Sequence, residues 1–456
     1  MLEQLLSEAD RNFEGSIERL FELLRIPSIS TDTRYKGGCN DAAHLLQSQL
    51  NDLGFAAKTR KTAGHPVVVA HGNRNKGEGL VFYGHYDVQP VDPIDEWMSK
   101  PFEPAIRNSN GEKAIFARGA SDNKGQLTTF IEALRVWKKV TGELPNGISL
   151  LLEGEEECGS PSLPAFLEEN ASELVAELAL ICDTGLFDSR TPAIITQLRG
   201  LLGEELEIQG PRVDLHSGMY GGLVRNPIIL LSQILAGLHD ANGRIALPRF
   251  YDGVSEPDPE ILKQWRDLDF DCEGFLGHVG LSQASGEQDR LPLEILWSRP
   301  TYDVNGVWGG YRDEGFKTVL PSSAGAKLSF RLVGKQEPLE IRKSLRSYIR
   351  SCLPPDFEVD FTGHGAARAC QMSTDHQLFD ATRQALGTEW NSEAVFAGCG
   401  GSIPVTAHFQ DILGMDSLLT GFARDDDNVH SPNEKYNVDN FCKGIRSWLR
   451  ILYAVS

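Results

Sequence analysis

Two histidines and a set of acidic residues stand in short motifs whose donor types could hold divalent metal ions. His85 and Asp87 lie in GHYDVQP, Asp122 in ARGASDNKGQ, Glu156 and Glu157 in EGEEECGS, Asp183 in ICDT and His430 in HSPNEKY. Imidazole nitrogens combined with carboxylate oxygens suit Zn²⁺, and also Mn²⁺ or Co²⁺. Two ions need a shared ligand, and a carboxylate can bridge with its two oxygens. Asp87, two residues beyond His85, is placed to fix the imidazole tautomer from outside the ligand shell. One carboxylate must stay uncoordinated to take a proton from metal-activated water, and Glu156 is the candidate. Each residue alone has a plainer reading. A glutamate triplet is usually a solvated loop, a lone His216 or His430 a hydrogen-bonded structural histidine, and Arg331 an exposed strand residue.

The elements that must deliver these groups are legible in the hydrophobic pattern. Val67-Val68-Val69-Ala70, Leu80-Val81-Phe82-Tyr83, Ile148 to Leu152 and Leu178 to Cys182 are short apolar runs without alternation, the signature of strands buried on both faces. Helical spacing marks Phe13 to Leu24, Asp41 to Leu53, Gly125 to Trp137 and a C-terminal stretch through Trp448. Strands alternating with helices predict an α/β fold with a mainly parallel sheet. Three of the apolar runs are followed directly by His85, by Glu156-Glu157 and by Asp183, and ligands bind beyond the carboxyl ends of such strands. From about residue 198 the pattern changes. Leu206 and Ile208 alternate with Glu205, Glu207 and Gln209, and Leu328, Phe330 and Leu332 alternate with Lys327, Ser329 and Arg331. These are one-sided strands, so the expected organisation is a catalytic α/β domain in two parts, 1–197 and 367–456, with an inserted α+β domain at 198–366.

Bulk composition narrows the partners. The 456 residues carry 44 Lys and Arg against 64 Asp and Glu, a formal charge of −20 without a basic run, which argues against nucleic acid. A small molecule is the expected partner. The longest apolar runs fall short of the ~18 residues a bilayer span needs, and the acidic N-terminus has no secretory signature, so no membrane partner and a cytoplasmic location are expected. Eight cysteines from Cys39 to Cys442 show no C-x-x-C pair and read as reduced thiols. The run Asp425-Asp426-Asp427 reads as solvated.

Taken together and in order, GHYDVQPVDPIDEWMSKPFEP, ARGASDNKGQ, LLLEGEEECGSPSL, ICDT, VDLHSG, LSFRLVG and HSPNEKY resemble the dinuclear-zinc metallopeptidase family of carnosinase, glutamate carboxypeptidase G and acetylornithine deacetylase. EGEEECGS, DLHSG and HSPNEK are most similar to its carnosinase-like cytosolic dipeptidase branch. The resemblance implies two divalent ions per subunit, zinc or manganese with cobalt possible. Asp122 would bridge them, His85 and Asp183 would hold one, and Glu157 and His430 the other. It further implies Glu156 as general base and proton donor, Asp87 orienting His85, and a cis peptide after Asp122. The inserted domain would serve as lid and homodimer contact, with His216 reaching the partner subunit's site to stabilise the oxyanion. Arg331 would grip the substrate carboxylate, with Thr318 and Ser402 assisting; Asn305 lies in a loop similar to one in the dipeptidase branch. The implied activity is hydrolysis of the amide bond of dipeptides or similar small peptides by a water bridging the metals. Two alternatives stay open: deacylation of N-acyl amino acids, and a non-catalytic small-molecule-binding protein on the same scaffold.

Overall fold

The buried apolar runs become the middle of a mixed sheet. In the computed structural model, which describes residues 1–73, 78–277, 279–401 and 403–456, the strands Ile148–Glu153, Leu80–His85, Leu178–Ile181 and Ser417–Thr420 are neighbours in that order and all parallel. Antiparallel strands flank them: Val67–His71 and then Ala56–Arg60 on one side, and Ala193–Leu198 on the other. Every residue of Leu80–His85 and Ile148–Glu153 is buried, which is why neither strand alternates in sequence.

Helices cover this sheet where the 3.6-residue pattern predicts them. Lys124–Thr141 and Val438–Ala454 are the main pair. Phe130 of the first stacks on Phe82 of the central strand at 3.9 Å, and fully buried Trp448 of the second meets both rings edge-on at 5.8 and 5.2 Å. The indole N–H of Trp448 donates to Thr129 Oγ1 at 3.1 Å, so its burial leaves no polar group unpaired. A small antiparallel sheet, Ala105–Ser109, Glu112–Phe116 and Lys435–Asn437, joins the segment before Asp122 to the segment after His430. These elements belong to one compact unit, Met1–Thr196 with Met372–Ala397 and Pro404–Ser456.

The second unit is Gln197–Gln371 with Gly398–Ile403. Its four-stranded antiparallel sheet runs Thr301–Gly309, Ser323–Leu332, Gly200–Gln209, Glu358–Ala367. Burial alternates along Gly200–Gln209, as its sequence requires. The inward side chains, among them Leu202, Leu206, Phe330 and Leu332, form one core with Leu230, Ile234, Leu345 and Ile349 from helices Pro227–Ala236 and Pro338–Cys352. Three further helices, Pro259–Asp267, Cys272–Gly277 and Pro292–Ser298, lie between those two along the chain. Among the described residues no helix is long and apolar enough to cross a membrane.

Candidate metal centre

Parallel strands bring their carboxyl ends to one edge, and the register aligns His85 opposite Glu153 and Tyr83 opposite Ile181. Beyond that edge lie His85 itself, the turn Glu156–Cys158, and Asp183. Asp122 arrives just before helix Lys124–Thr141, and the Asp122–Asn123 peptide is cis, as the resemblance implies. His430 comes from a loop and holds φ at +63°, a left-handed conformation uncommon outside glycine that tends to cluster at functional sites.

The geometry centres on Asp122. Its Oδ1 is 3.1 Å from His85 Nε2 and its Oδ2 is 2.9 Å from His430 Nε2. Asp183 Oδ1 is 3.5 Å from His85 Nε2 on the first side, and Glu157 Oε2 is 3.2 Å from His430 Nε2 on the second. One carboxylate thus separates two imidazole–carboxylate pairs. His85, Asp122 and Glu157 each offer a ligand atom within 4.8 Å of the others.

Asp87 is fully buried and works on two groups at once. Its Oδ1 is 3.4 Å from His85 Nδ1. Its two oxygens also accept the backbone N–H groups of Glu156 and Glu157, at 3.3 and 3.1 Å. The carboxylate two residues after His85 therefore also holds the turn that carries Glu156.

The charge balance tests whether a cation belongs here. Burial pushes the Glu156 carboxyl up to about 9, reinforced by Asp183, Glu157 and Asp122. Burial and Asp122 push Glu157 up to about 7, and burial raises Asp183. Hydrogen bonds to Asp122 and Glu157 lift His430 to about 10. Burial works against a charged His85, yet Asp183, Asp122 and Asp87 together raise its pKa well above the usual range. The cluster thus draws protons onto its outer carboxylates, while Asp122, against its burial, is held below the usual carboxylate range by hydrogen bonds from His430 and His85. Among the described residues His85 Nε2, completely buried, makes no well-formed hydrogen bond, although Asp122 Oδ1 stands 3.1 Å from it. Nitrogen and oxygen donors with surplus negative charge, buried at His85 and open to solvent at His430, fit divalent cations, whose binding would displace those protons.

Several positioning groups escaped the sequence reading. Asn123 Nδ2 donates to Asp183 Oδ1 at 2.7 Å and to the Cys182 carbonyl at 2.6 Å. Gln89 Nε2 donates to Glu157 Oε2 at 2.9 Å. Glu434 and Arg118 form a buried pair at 2.8 Å directly behind Asp122. Asp427, expected to be solvated, is instead fully buried. Its carboxylate accepts from Ser121 Oγ at 2.9 Å and Arg424 N at 2.8 Å, partners a sequence run cannot reveal. Position offered one signal: Arg118 and Glu434 share motifs with Asp122 and His430.

The remaining candidates lie in the second unit. His216 ends the short strand Leu215–His216, paired with Val319–Leu320. Its Nδ1 accepts from Gly218 N at 3.0 Å, so the neutral ring carries its proton on Nε2, facing away from that contact. Ser217 N donates to the Thr318 carbonyl at 3.1 Å, which brings Thr318 beside His216. Arg331 is half-buried on the polar face of its strand, opposite Thr301 and Leu201. Asn305 sits exposed where the register slips between Val304 and Gly306, four residues along from Thr301, or about 13 Å. Ser402 lies outside the described residues.

The chain is 29% identical over 461 residues to the Cys-Gly metallodipeptidase of Schizosaccharomyces pombe, covering 98% of this chain and 96% of that one. Among solved structures it is similar to an M20 family metallo-carboxypeptidase from Sulfolobus solfataricus, with TM-score 0.83 and 34% identity over 97% of this chain and 99% of the other. Human carnosine dipeptidase 1 matches with TM-score 0.81 and 25% identity over 99% and 98%. The profile of peptidase family M20/M25/M40 matches residues 81–454. With most of its length matched and the metal-ligand types of its motifs gathered at one sheet edge, the chain belongs to peptidase family M20/M25/M40.

Proposed function

We propose that this protein is a metal-dependent dipeptidase that hydrolyses the amide bond of dipeptides or similar small peptides, working with two divalent ions, zinc or manganese with cobalt as a functional substitute. The observation that carries the reading is the Asp122 carboxylate, with one oxygen toward His85 and the other toward His430. His85 and Asp183 would hold one ion, Glu157 and His430 the other, and Asp122 both. When bound, the ions supply Lewis-acid polarisation of the scissile carbonyl and lower the pKa of water.

The chain's own residues do the rest. Glu156 takes the proton of the attacking water on its carboxylate and returns it to the leaving amine nitrogen. Asp87 keeps His85 in one tautomer and holds the backbone of Glu156 in place. His216, with its proton on Nε2, donates to the carbonyl oxygen as negative charge develops there. Arg331 pairs with the substrate's terminal carboxylate, with Thr318, Asn305 and Ser402 assisting. The stretch 198–366 acts as lid and homodimer contact between the two catalytic parts, 1–197 and 367–456. The exposed apolar side chains Val213, Met219, Leu223 and Phe316 support a contact on that stretch. Eight scattered cysteines without a C-x-x-C pair support a cytoplasmic, reducing location. The net charge of −20 supports a small-molecule substrate over nucleic acid or an anionic membrane surface.

A substrate panel tests the choice of bond. Dipeptides with α- and β-amino N-termini should be cleaved faster than N-acetyl and N-succinyl amino acids. Tripeptides belong in the panel because the 34% identity to a metallo-carboxypeptidase favours C-terminal trimming as the second reading. Turnover confined to acylated amino acids would move the activity to deacylation, and turnover confined to longer peptides would move it to carboxypeptidase action. Sharing of His216 between subunits has a separate test. Inactive His216→Ala and Glu156→Ala proteins, mixed under conditions of subunit exchange, should regain part of the activity; confirmed exchange without recovery would rule the shared site out.

A further inference from the structure

A fully buried carboxylate stands behind the metal centre without belonging to it. Glu434 Oε1 accepts the backbone N–H groups of Ser121 and Asp122 at 2.9 and 3.0 Å. Its Oε2 accepts Gly119 N and Arg118 Nη1, both at 2.8 Å. Three backbone N–H groups converge on one carboxylate because Gly119, at φ +81°, turns the chain through the left-handed region. All four donors come from residues 118–122, the loop that delivers Asp122, while Glu434 itself follows His430 by four residues. The zipper continues on either side. Ala117 N donates to the Glu434 carbonyl at 3.2 Å, and Lys435 pairs with Phe116 in the small sheet.

A buried Glu–Arg pair is weak support for stability as such, because apolar side chains of similar volume often do as well. What apolar residues could not do is collect the N–H of Asp122 and its neighbours on one rigid acceptor. We infer that Glu434 is a positioning residue that sets the spacing of Asp122 against His430, and thereby the affinity of the metal position that Asp122, Glu157 and His430 share. The inference rests on the two-metal reading above. Its consequence is unequal: both positions share Asp122, but only the position of Glu157 and His430 takes a second ligand from the segment that carries Glu434, so its affinity falls further.

The test is calorimetric titration of chelator-stripped protein with Zn²⁺, together with metal content after gel filtration and circular dichroism to confirm folding. Wild type should take up two ions. Glu434→Gln places an amide N–H₂ against backbone donors; it should lose at least about tenfold in one affinity and distinctly less in the other. Glu434→Asp keeps the charge beside Arg118 but is one methylene too short to hold all four donors; it should show the same asymmetry and carries the test if the Gln variant does not fold. Glu132→Gln removes the charge of another fully buried carboxylate, held by Ser16 Oγ at 2.8 Å and Arg19 Nε at 2.7 Å rather than by the metal motifs, and should leave both affinities near wild type. The inference is overturned if folded Glu434 variants bind both ions as wild type does, if both affinities fall equally, or if Glu132→Gln produces the same unequal loss. Wild-type uptake of fewer than two ions would overturn the two-metal reading, and this inference with it.

Discussion

Glu156→Gln is expected to retain both metal ions and to lose about 10³-fold or more in kcat. The substitution preserves volume, and the turn Glu156–Cys158 is held through its backbone by Asp87, so the side-chain change does not release it. What disappears is a basic oxygen. Without metal, burial and the neighbouring carboxylates push the Glu156 carboxyl up to about 9, so bound cations must displace its proton before it can serve as a base. An amide can neither accept the water's proton nor deliver it to the amine. Steady-state kinetics with metal analysis of the same sample provide the check. A metal-loaded variant with wild-type kcat would remove Glu156 from proton transfer.

Asp122→Asn carries the second large effect, on metal binding itself. The two Asp122 oxygens serve different imidazoles, 3.1 Å from His85 Nε2 and 2.9 Å from His430 Nε2. Asparagine keeps the shape but has a single oxygen, so it cannot bridge. Because loss of an outer-shell partner already costs 10- to 100-fold in metal affinity, loss of the shared ligand should cost at least about 100-fold, with hydrolysis falling below detection. Metal content after gel filtration decides the point: two ions retained at wild-type affinity would show that Asp122 does not bridge.

The contrast between Asp183 and Glu434 explains how much of this was legible in the sequence. Asp183 follows a continuous apolar run, and such runs end at one edge of a parallel sheet, so His85, Glu156-Glu157 and Asp183 could be grouped before any coordinates. The alternating strands of the second unit were equally plain, and Arg331 lies on the face its neighbours predict. Glu434 shares the motif HSPNEKY with His430, but nothing in the sequence marks it as buried. It is buried only because donors more than 300 residues away close around it. Asp427 misled for the same reason, since an acidic run reads as solvated until Ser121 and Arg424 are placed beside it. His216 pairs with Val319 through a two-residue ladder, too short to leave a period. Helices such as Cys272–Gly277 are likewise too short for an amphipathic stripe to stand out.

The most direct test of the central claim is dipeptide hydrolysis by purified protein, first stripped by chelator and then reloaded separately with Zn²⁺ and Mn²⁺. The predicted result is turnover abolished by the chelator and restored by reloading, with full rate reached only when two ions per chain are bound. Dipeptide turnover that survives complete metal removal would contradict the account, and so would a fully metal-loaded protein that cleaves no amide in the panel.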